Sequence, residues 1–154
     1  MRYFIEFSYN GTNYHGWQKQ PNANTVQEQL VKCMSVLLKE ELELMGAGRT
    51  DSGVHAHQMF AHFDTSSIFN SDKIVAKLNS FLPNDILVLS LYKVKEDTHA
   101  RFTATARTYQ YFVSTKNDIF NTNLHLVFKD LDLDKMNASC IYLMGEQDFT
   151  SFSK

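Results

Sequence analysis

Apolar and polar residues alternate at the start of the chain. In the segment 2–9, Tyr3, Ile5, Phe7 and Tyr9 occupy every second position, which predicts a strand with one buried face. Short apolar or β-branched segments favour further strands. They lie at 42–45, 59–63, 86–94 and 106–114, of which the last two read ILVLSLYKV and ARTYQYFVS.

A helical period follows the first strand and its polar loop. Thr25 precedes the helix and Glu28 stands three residues later, the spacing at which two side chains cap the first turn reciprocally. The apolar positions then recur on one side of the helix, which predicts a buried face. They are Val26, Leu30, Cys33, Leu37 and Leu38.

Two more helices are predicted further along the chain. The first covers 71–82, with Ser71 as its cap, and the second runs from Asp132 or Asp134 to Leu143. When the short segment 42–45 is left out, the resulting order is β-α-β-α-β-β and then a helix, which predicts an α+β fold. In such a fold the helices lie on one face of a largely antiparallel, mixed sheet.

Composition excludes several classes of protein. With 154 residues, 44% hydrophobic and 21% charged, the chain has the size and mixture of a globular domain rather than of a disordered segment. The sequence contains no apolar run long enough to span a membrane and no secretory signal. Cys33 and Cys140 fall in apolar helical patterns, so we expect core thiols in a reduced, cytosolic protein.

Charge changes this picture little. The chain has 15 Lys and Arg against 17 Asp and Glu, a formal charge of −2. On its own this balance argues against a nucleic-acid-binding protein, whose footprint is normally basic.

The segment 46–56, GAGRTDSGVHA, carries the densest set of candidate functional residues. Three glycines within eight positions allow a ligand to approach the backbone, and an Arg, a Thr and an Asp stand between them. An ordinary turn with a surface Arg–Asp pair is the alternative. A phosphate-binding P-loop is excluded because no Gly-Lys-Ser/Thr follows at the required spacing.

This segment resembles the signature of tRNA pseudouridine synthases of the TruA type, which is built around GRTDAGVHA. Similar motifs follow in the family's order along nearly the whole chain. They are YNGTNYHGWQKQ at 9–20, TVQEQL at 25–30, LNSFLPNDI at 78–86, HARFTATARTYQY at 99–111 and GEQDFTSF at 145–152. Ser52 stands where the signature usually has Ala.

The resemblance implies a pseudouridine synthase fold whose N-terminal half is ferredoxin-like or RRM-like. It also implies an enzyme that isomerises uridine to pseudouridine in the anticodon stem-loop of tRNA, at positions 38, 39 and 40, without a cofactor. Asp51 matches the family's catalytic aspartate, which attacks the sugar C1′ or abstracts a 2′ proton. Arg49 matches an arginine that pairs with that aspartate and moves toward RNA as the target base flips out. Tyr111 matches a tyrosine that stacks on the target base and can act as an acid–base group, whereas Tyr109 is interpreted as a core or sheet-face aromatic.

Other basic residues are candidates for substrate contact. Arg101 and Arg107 lie in the motif HARFTATAR, and their structural alternatives are a salt bridge and an exposed strand charge, respectively. Lys19 lies in a polar loop that can reach phosphate, next to Trp17, which is either part of that contact or a hydrophobic anchor.

Histidines give a competing hypothesis. His55, His57, His62 and His99 suggest a zinc site and a zinc-dependent hydrolase. On a strand, however, His62 faces away from His55 and His57, and no acidic or cysteine partner stands at ligand spacing. We therefore expect no metal.

The leading hypothesis is a cytoplasmic, homodimeric tRNA pseudouridine synthase without membrane association, and the alternative is a catalytically silent RNA-binding module of the same fold. The resemblance implies that residues 1–104 form the N-terminal half, with the Asp loop, and that 105–154 begin a second half that the chain leaves incomplete. We therefore expect the 154-residue chain to be weakly active or inactive alone.

Overall fold

The computed structural model describes residues 1–120, 124–127 and 129–152. The chain divides into two compact units, Met1–Arg107 and Thr108–Lys154. Residues 121–123, 128, 153 and 154 of the predicted second half lie outside the described residues. No helix in the described ranges has the length and apolar content needed to cross a bilayer.

The first unit is a four-stranded antiparallel sheet with two helices. Its elements are β1 (Arg2–Tyr9), α1 (Val26–Leu38), β2 (Met45–Gly46), β3 (Ala56–Asp64), α2 (Ser71–Phe81) and β4 (Ile86–Val94). The strand order is β2-β3-β1-β4, and Ile5 of β1 pairs with Ala61 on one side and Leu91 on the other. The order β-α-β-β-α-β gives the ferredoxin-like arrangement, so the predicted α+β class is confirmed.

One face of the sheet packs against both helices. The alternate β1 residues predicted to be buried are all in the core, together with residues of α1 and α2. The fully buried positions of α1 are Val26, Leu30, Met34 and Leu38. Met34 was not predicted, and Cys33 and Leu37 lie at the border of the stripe, partly buried.

The ends of the helices differ from the predicted caps. For α2, the side chain of Asn70, not of Ser71, accepts the hydrogen bond from the Lys73 N–H, and Phe81 is exposed. For α1, Thr25 is the N-cap residue, but its side chain makes no capping bond. The predicted reciprocal cap is wrong because the Thr25 side chain turns into the core, where Oγ1 has no hydrogen-bond partner among the described residues.

The second unit contains β5 (Val113–Ser114) paired in parallel with β6 (His125–Leu126), and α3 (Leu133–Cys140), capped by Asp132. The predicted strand 106–114 is wrong except at its end. None of the described residues in this unit is buried. Tyr109, expected in a core or on a sheet face, is exposed and lies outside any strand, and Cys140, expected in a core, is exposed as well.

The reason for the missing strand is the absence of a surface to pack on. β-branched and aromatic residues favour strands because they pack on cross-strand and same-face neighbours, not because of a strong backbone preference. In the described part of the chain, only Val113 and Ser114 of this segment have a partner strand. The strand predicted at 42–45 is likewise displaced, to Met45–Gly46, where β3 offers a partner.

Candidate active site

Two loops of the first unit build the candidate site. The glycine-rich loop, residues 47–55, connects β2 with β3 and carries Asp51. The first loop, residues 10–24, connects β1 with α1. Because β1 and β3 are paired neighbours in the sheet, both loops leave it close together, between the end of β1 and the start of β3.

Main-chain hydrogen bonds hold the two loops against each other. The Trp17 N–H donates to the carbonyl oxygen of Thr50 at 3.2 Å, and the Gly53 N–H donates to the carbonyl oxygen of Tyr14 at 3.2 Å. The Ser52 hydroxyl donates to the same Tyr14 oxygen at 3.2 Å. Asp51 is therefore flanked on both sides by residues fixed to the first loop.

Side chains reinforce this contact. The hydroxyl groups of Tyr9, at the end of β1, and Thr50 are hydrogen-bonded at 2.8 Å. Burial raises the pKa of the Tyr9 phenol, so it is protonated at neutral pH. The Gly11 N–H donates to Nδ1 of His55 at 3.0 Å, which requires that this nitrogen be unprotonated.

The close approach of the loops needs a glycine at position 16. Its φ is +88°, in the left-handed region, and a Cβ there would lie 2.2 Å from the carbonyl oxygen of Thr50. A side chain at this position would therefore push the two loops apart.

Trp17 is a hydrophobic anchor, one of the two interpretations of this residue. It is 2% exposed and stacks on Phe7 with ring centroids 5.2 Å apart. A Cβ on Gly46 would lie 2.5 Å from its Nε1. Three glycines were expected to leave room for a ligand. The space beside Gly46 is filled by Trp17, whereas no described atom lies within 4 Å of the Cβ position at Gly53.

Asp51 is exposed on this rigid support. Its carbonyl oxygen accepts from the Val54 N–H, and within the described residues its carboxylate has no hydrogen-bond donor. Arg49 is exposed as well. The ion pairs of the described chain are Arg2–Asp64 and Lys135–Asp132, so the implied pair between Arg49 and Asp51 is not formed in this structure.

Arg107 reaches the glycine-rich loop. Its Nη2 and Nε donate to the carbonyl oxygen of Ala47, at 2.8 and 3.3 Å, and Nη2 also donates to the carbonyl oxygen of Arg101 at 2.9 Å. The guanidinium therefore ties the segment after β4 to the start of the loop, rather than lying on a strand as its structural alternative assumed. The Arg101 side chain is exposed, with its Cζ 6.0 Å from the centroid of the Phe102 ring.

The structure places the remaining two candidates, Lys19 and Tyr111, in different units. Lys19 is exposed in the first loop, and its main-chain N–H donates to the Gln27 side chain at 2.7 Å. Tyr111 belongs to the second unit, where it is 77% exposed and its ring centroid lies 5.7 Å from that of His125.

Three of the four candidate histidines, His55, His62 and His99, accept hydrogen bonds from main-chain N–H groups. Nδ1 of the buried His62 accepts a hydrogen bond from the Ala100 N–H at 3.2 Å. The rings of His62 and His99 pack edge to face, with their centroids 4.4 Å apart. Burial and the nearby Arg2 lower the pKa of His62. Across the described residues, no three His, Cys, Asp or Glu side chains converge on a metal-binding position.

The sequence interpretation missed two residues that support the site, Tyr14 and Asp85. The Tyr14 hydroxyl donates to Oδ1 of Asp85 at 2.5 Å, across 71 positions of the chain. Burial and this carboxylate raise the pKa of Tyr14. The available signal was the presence of large aromatic residues, Tyr14 and Trp17, in an otherwise polar loop, because such residues usually anchor a loop to the core.

The arrangement suits nucleophilic or basic catalysis by a carboxylate. The loop backbone is fixed by bonds to buried elements, so the exposed Asp51 side chain is presented to solvent from a defined position. Preorganisation of this kind reduces the entropy cost of bringing a substrate atom to the reacting group. Arg49 and Arg107 supply positive charge on the same loop or against it.

Comparison with known proteins gives a consistent result. A family model described as tRNA pseudouridine synthase matches residues 6–103. A protein of Bacteroides thetaiotaomicron named tRNA pseudouridine synthase A is 51% identical, over 100% of this chain and 58% of its own length. Proteins of the same name from Bacteroides fragilis and Parabacteroides distasonis are 49% and 48% identical, with 62% of each covered. The chain thus spans about three fifths of the length of these relatives.

Proposed function

The chain belongs to the tRNA pseudouridine synthase family, and on that basis we propose that it isomerises uridine to pseudouridine in the anticodon stem-loop of tRNA, at positions 38, 39 and 40. The observation that carries the proposal is the exposed Asp51 carboxylate on a loop fixed at both flanks. The names of the similar proteins support tRNA as the substrate.

Asp51 is the catalytic residue of this proposal. Its carboxylate attacks C1′ of the ribose, or removes the 2′ proton, while the bond between C1′ and N1 of uracil breaks. The base then rotates and C5 bonds to C1′, while the bond between Asp51 and C1′ breaks in the first route or the 2′ proton is returned in the second. The C5 proton is lost and N1 gains a proton. Because product and substrate have the same atoms and oxidation state, the reaction needs no redox group or cosubstrate.

Arg49, Arg107 and Tyr111 complete the proposed catalytic and binding set. Arg49 has no ion pair among the described residues, so it is available to RNA phosphate once the target nucleotide is flipped out. Two nitrogens of Arg107 are held by carbonyl groups, which leaves Nη1 for the substrate. The exposed ring of Tyr111 is available for stacking on a base.

Arg101 and Lys19 are proposed to contact the RNA backbone. Both are exposed charges in the first unit. Replacing either by Ala should weaken tRNA binding and lower the slope of log affinity against log salt by about one. An unchanged slope would remove that residue from the binding surface.

We propose that the protein is cytoplasmic and acts as a homodimer on tRNA. One chain has a formal charge of −2, so a second subunit would add its own lysines and arginines to those that contact the RNA. Sedimentation equilibrium of the natural-length protein, which is the protein at the length that its gene encodes, measures the subunit number with and without tRNA.

The decisive experiment replaces Asp51 by Asn in the natural-length protein. Release of tritium from tRNA labelled at C5 of uridine measures the reaction, because the new bond displaces that hydrogen. We expect a loss of at least about 1000-fold in kcat with tRNA affinity within about threefold. The exposed Asp97→Asn, in the turn after β4, is the matched control.

A rate for Asp51→Asn equal to that of the wild type would refute the catalytic assignment. A wild-type protein that binds tRNA but releases no tritium would instead identify a catalytically silent RNA-binding module.

A further inference from the structure

A buried tyrosine connects the turn before β4 to the residues that follow Asp51. Asp85 lies in that turn, directly before the first β4 residue, and its main-chain oxygen accepts the Asn10 N–H at 2.8 Å. Its two carboxylate oxygens accept from the first loop: Oδ1 from the Tyr14 hydroxyl at 2.5 Å and Oδ2 from Nδ2 of Asn13 at 3.2 Å. Asp85 thus holds the first loop at three points.

Tyr14 passes this constraint on through its main chain. Its ring is 3% exposed, so the side chain has one packed orientation. Its carbonyl oxygen accepts both the Gly53 N–H and the Ser52 hydroxyl. Asp85 and Asp51 are therefore joined by an unbroken path: carboxylate, tyrosine hydroxyl, tyrosine carbonyl, and the two residues after Asp51.

We propose that Tyr14 and Asp85 are positioning residues for the reaction, which set the orientation of the Asp51 carboxylate through the Tyr14 carbonyl. This inference rests on the proposed function, since it assumes that Asp51 is the catalytic group. Neither side chain touches the substrate. Their effect is on the geometry of the loop, to which rates of positioned reactions are sensitive.

The Tyr14 hydroxyl can be separated from the tyrosine's contribution to the core. Tyr14→Phe keeps the buried ring and removes only the donor to Asp85. Asp85→Ala removes the acceptors, whereas Asp85→Asn keeps an oxygen that accepts from the Tyr14 hydroxyl. The matched control is Tyr92→Phe, which removes a phenol hydroxyl from β4, on the sheet face opposite the helices.

Two readouts test the proposal on the natural-length protein. The first is kcat and KM for tritium release. We expect Tyr14→Phe and Asp85→Ala to lower kcat about tenfold with KM within about twofold, and Asp85→Asn to recover most of the loss. The second is hydrogen exchange at the Gly53 amide, which should become faster in Tyr14→Phe and not in Tyr92→Phe.

Several outcomes would overturn the inference. One is an unchanged kcat in Tyr14→Phe; another is a loss of kcat that only matches the loss of folded protein. A third is an equal rate for Asp85→Asn and Asp85→Ala. Failure of the proposed function looks different: Asp51→Asn would then remain active, or the wild type would release no tritium. Exchange at Gly53 would still show whether the Tyr14–Asp85 bond fixes the loop, without a role in catalysis.

Discussion

The two units of the chain use similar residues and differ in what those residues pack against. In the first unit, alternate β1 side chains and the inner faces of two helices form one core. In the second unit, no described residue is buried, although it contains several aromatic and aliphatic side chains. Apolar residues stabilise a fold only when another apolar surface removes them from water. The same composition therefore has different structural consequences in the two units.

The largest expected effect comes from removing one phenylalanine ring from each unit. Phe7 is completely buried and Phe120 is 89% exposed. Phe7→Ala should lower the free energy of unfolding by about 3–5 kcal/mol, through lost burial and a cavity. Phe120→Ala should change it by no more than about 0.5 kcal/mol. Urea denaturation measures both, and similar losses would show that the second unit has a core of its own.

A glycine pair separates crowding from backbone conformation. Gly16 in the first unit and Gly145 in the second have nearly the same φ, +88° and +87°. Among the described residues, no atom of a neighbour lies within 4 Å of the position that a Cβ on Gly145 would take. Gly145→Ala should therefore cost about 1 kcal/mol for the left-handed conformation alone.

Gly16→Ala should cost about 3 kcal/mol, because the new methyl group also overlaps the carbonyl oxygen of Thr50. Denaturation of both variants measures the difference. Equal costs would mean that the first loop can move away from the glycine-rich loop without loss.

The buried histidine of the first unit makes stability depend on pH. His62 has a lowered pKa and stays neutral in the folded chain, whereas the unfolded chain binds a proton below pH 6.5. The contribution of the neutral His62 to the free energy of unfolding is complete above pH 6.5, and it is lost as the pH falls through the pKa of His62 in the folded chain. Its slope is at most about 1.4 kcal/mol per pH unit.

His62→Asn tests this dependence, because an amide oxygen can accept the Ala100 N–H without titrating. The free energy of unfolding, measured from pH 7 to pH 5, should vary less with pH than in the wild type. Asp148→Asn is the control: a hydrogen bond from Thr150 lowers the pKa of Asp148 below its usual value of 3.8, which is outside the measured range. A wild-type slope retained in His62→Asn would assign the dependence to another group.

The smallest expected effect is a gain in stability. Thr25 is fully buried and its Oγ1 has no hydrogen-bond partner in the described part of the chain, whereas Oγ1 of the buried Thr65 donates to Glu40. Thr25→Val should raise the free energy of unfolding by about 1 kcal/mol, since an unsatisfied hydroxyl is removed from the core. Thr65→Val should lower it by a similar amount. A loss in Thr25→Val would show that this hydroxyl has a partner in solution.

Much of the first unit follows from local patterns. Alternation in β1 and β4 and the helical stripe of α1 each reflect one buried face, which depends on residues only a few positions apart. Asp51 could be predicted as the catalytic residue because the glycine-rich loop is a continuous motif. The predicted side-chain caps at Thr25 and Ser71 were wrong. The Thr25 side chain is buried in the core instead, and the side chain of Asn70 caps α2 in place of Ser71.

The support of the site could not be predicted in the same way. Tyr14 contacts the glycine-rich loop 38 positions away and Asp85 71 positions away. Such contacts exist only once the sheet has brought these segments together. The strand expected at 106–114 failed for a related reason: among the described residues, only Val113 and Ser114 of this segment have a partner strand.

The bond between Tyr14 and Asp85 also has a consequence for how the chain folds. It closes a loop of 71 residues, and Asp85 directly precedes the β4 residue that pairs with Tyr9 at the end of β1. Closing so long a loop is entropically unfavourable until that strand pairing is made. We therefore expect the geometry around Asp51 to form late in folding: helices can form earlier from local contacts, but the orientation of the carboxylate depends on the complete sheet.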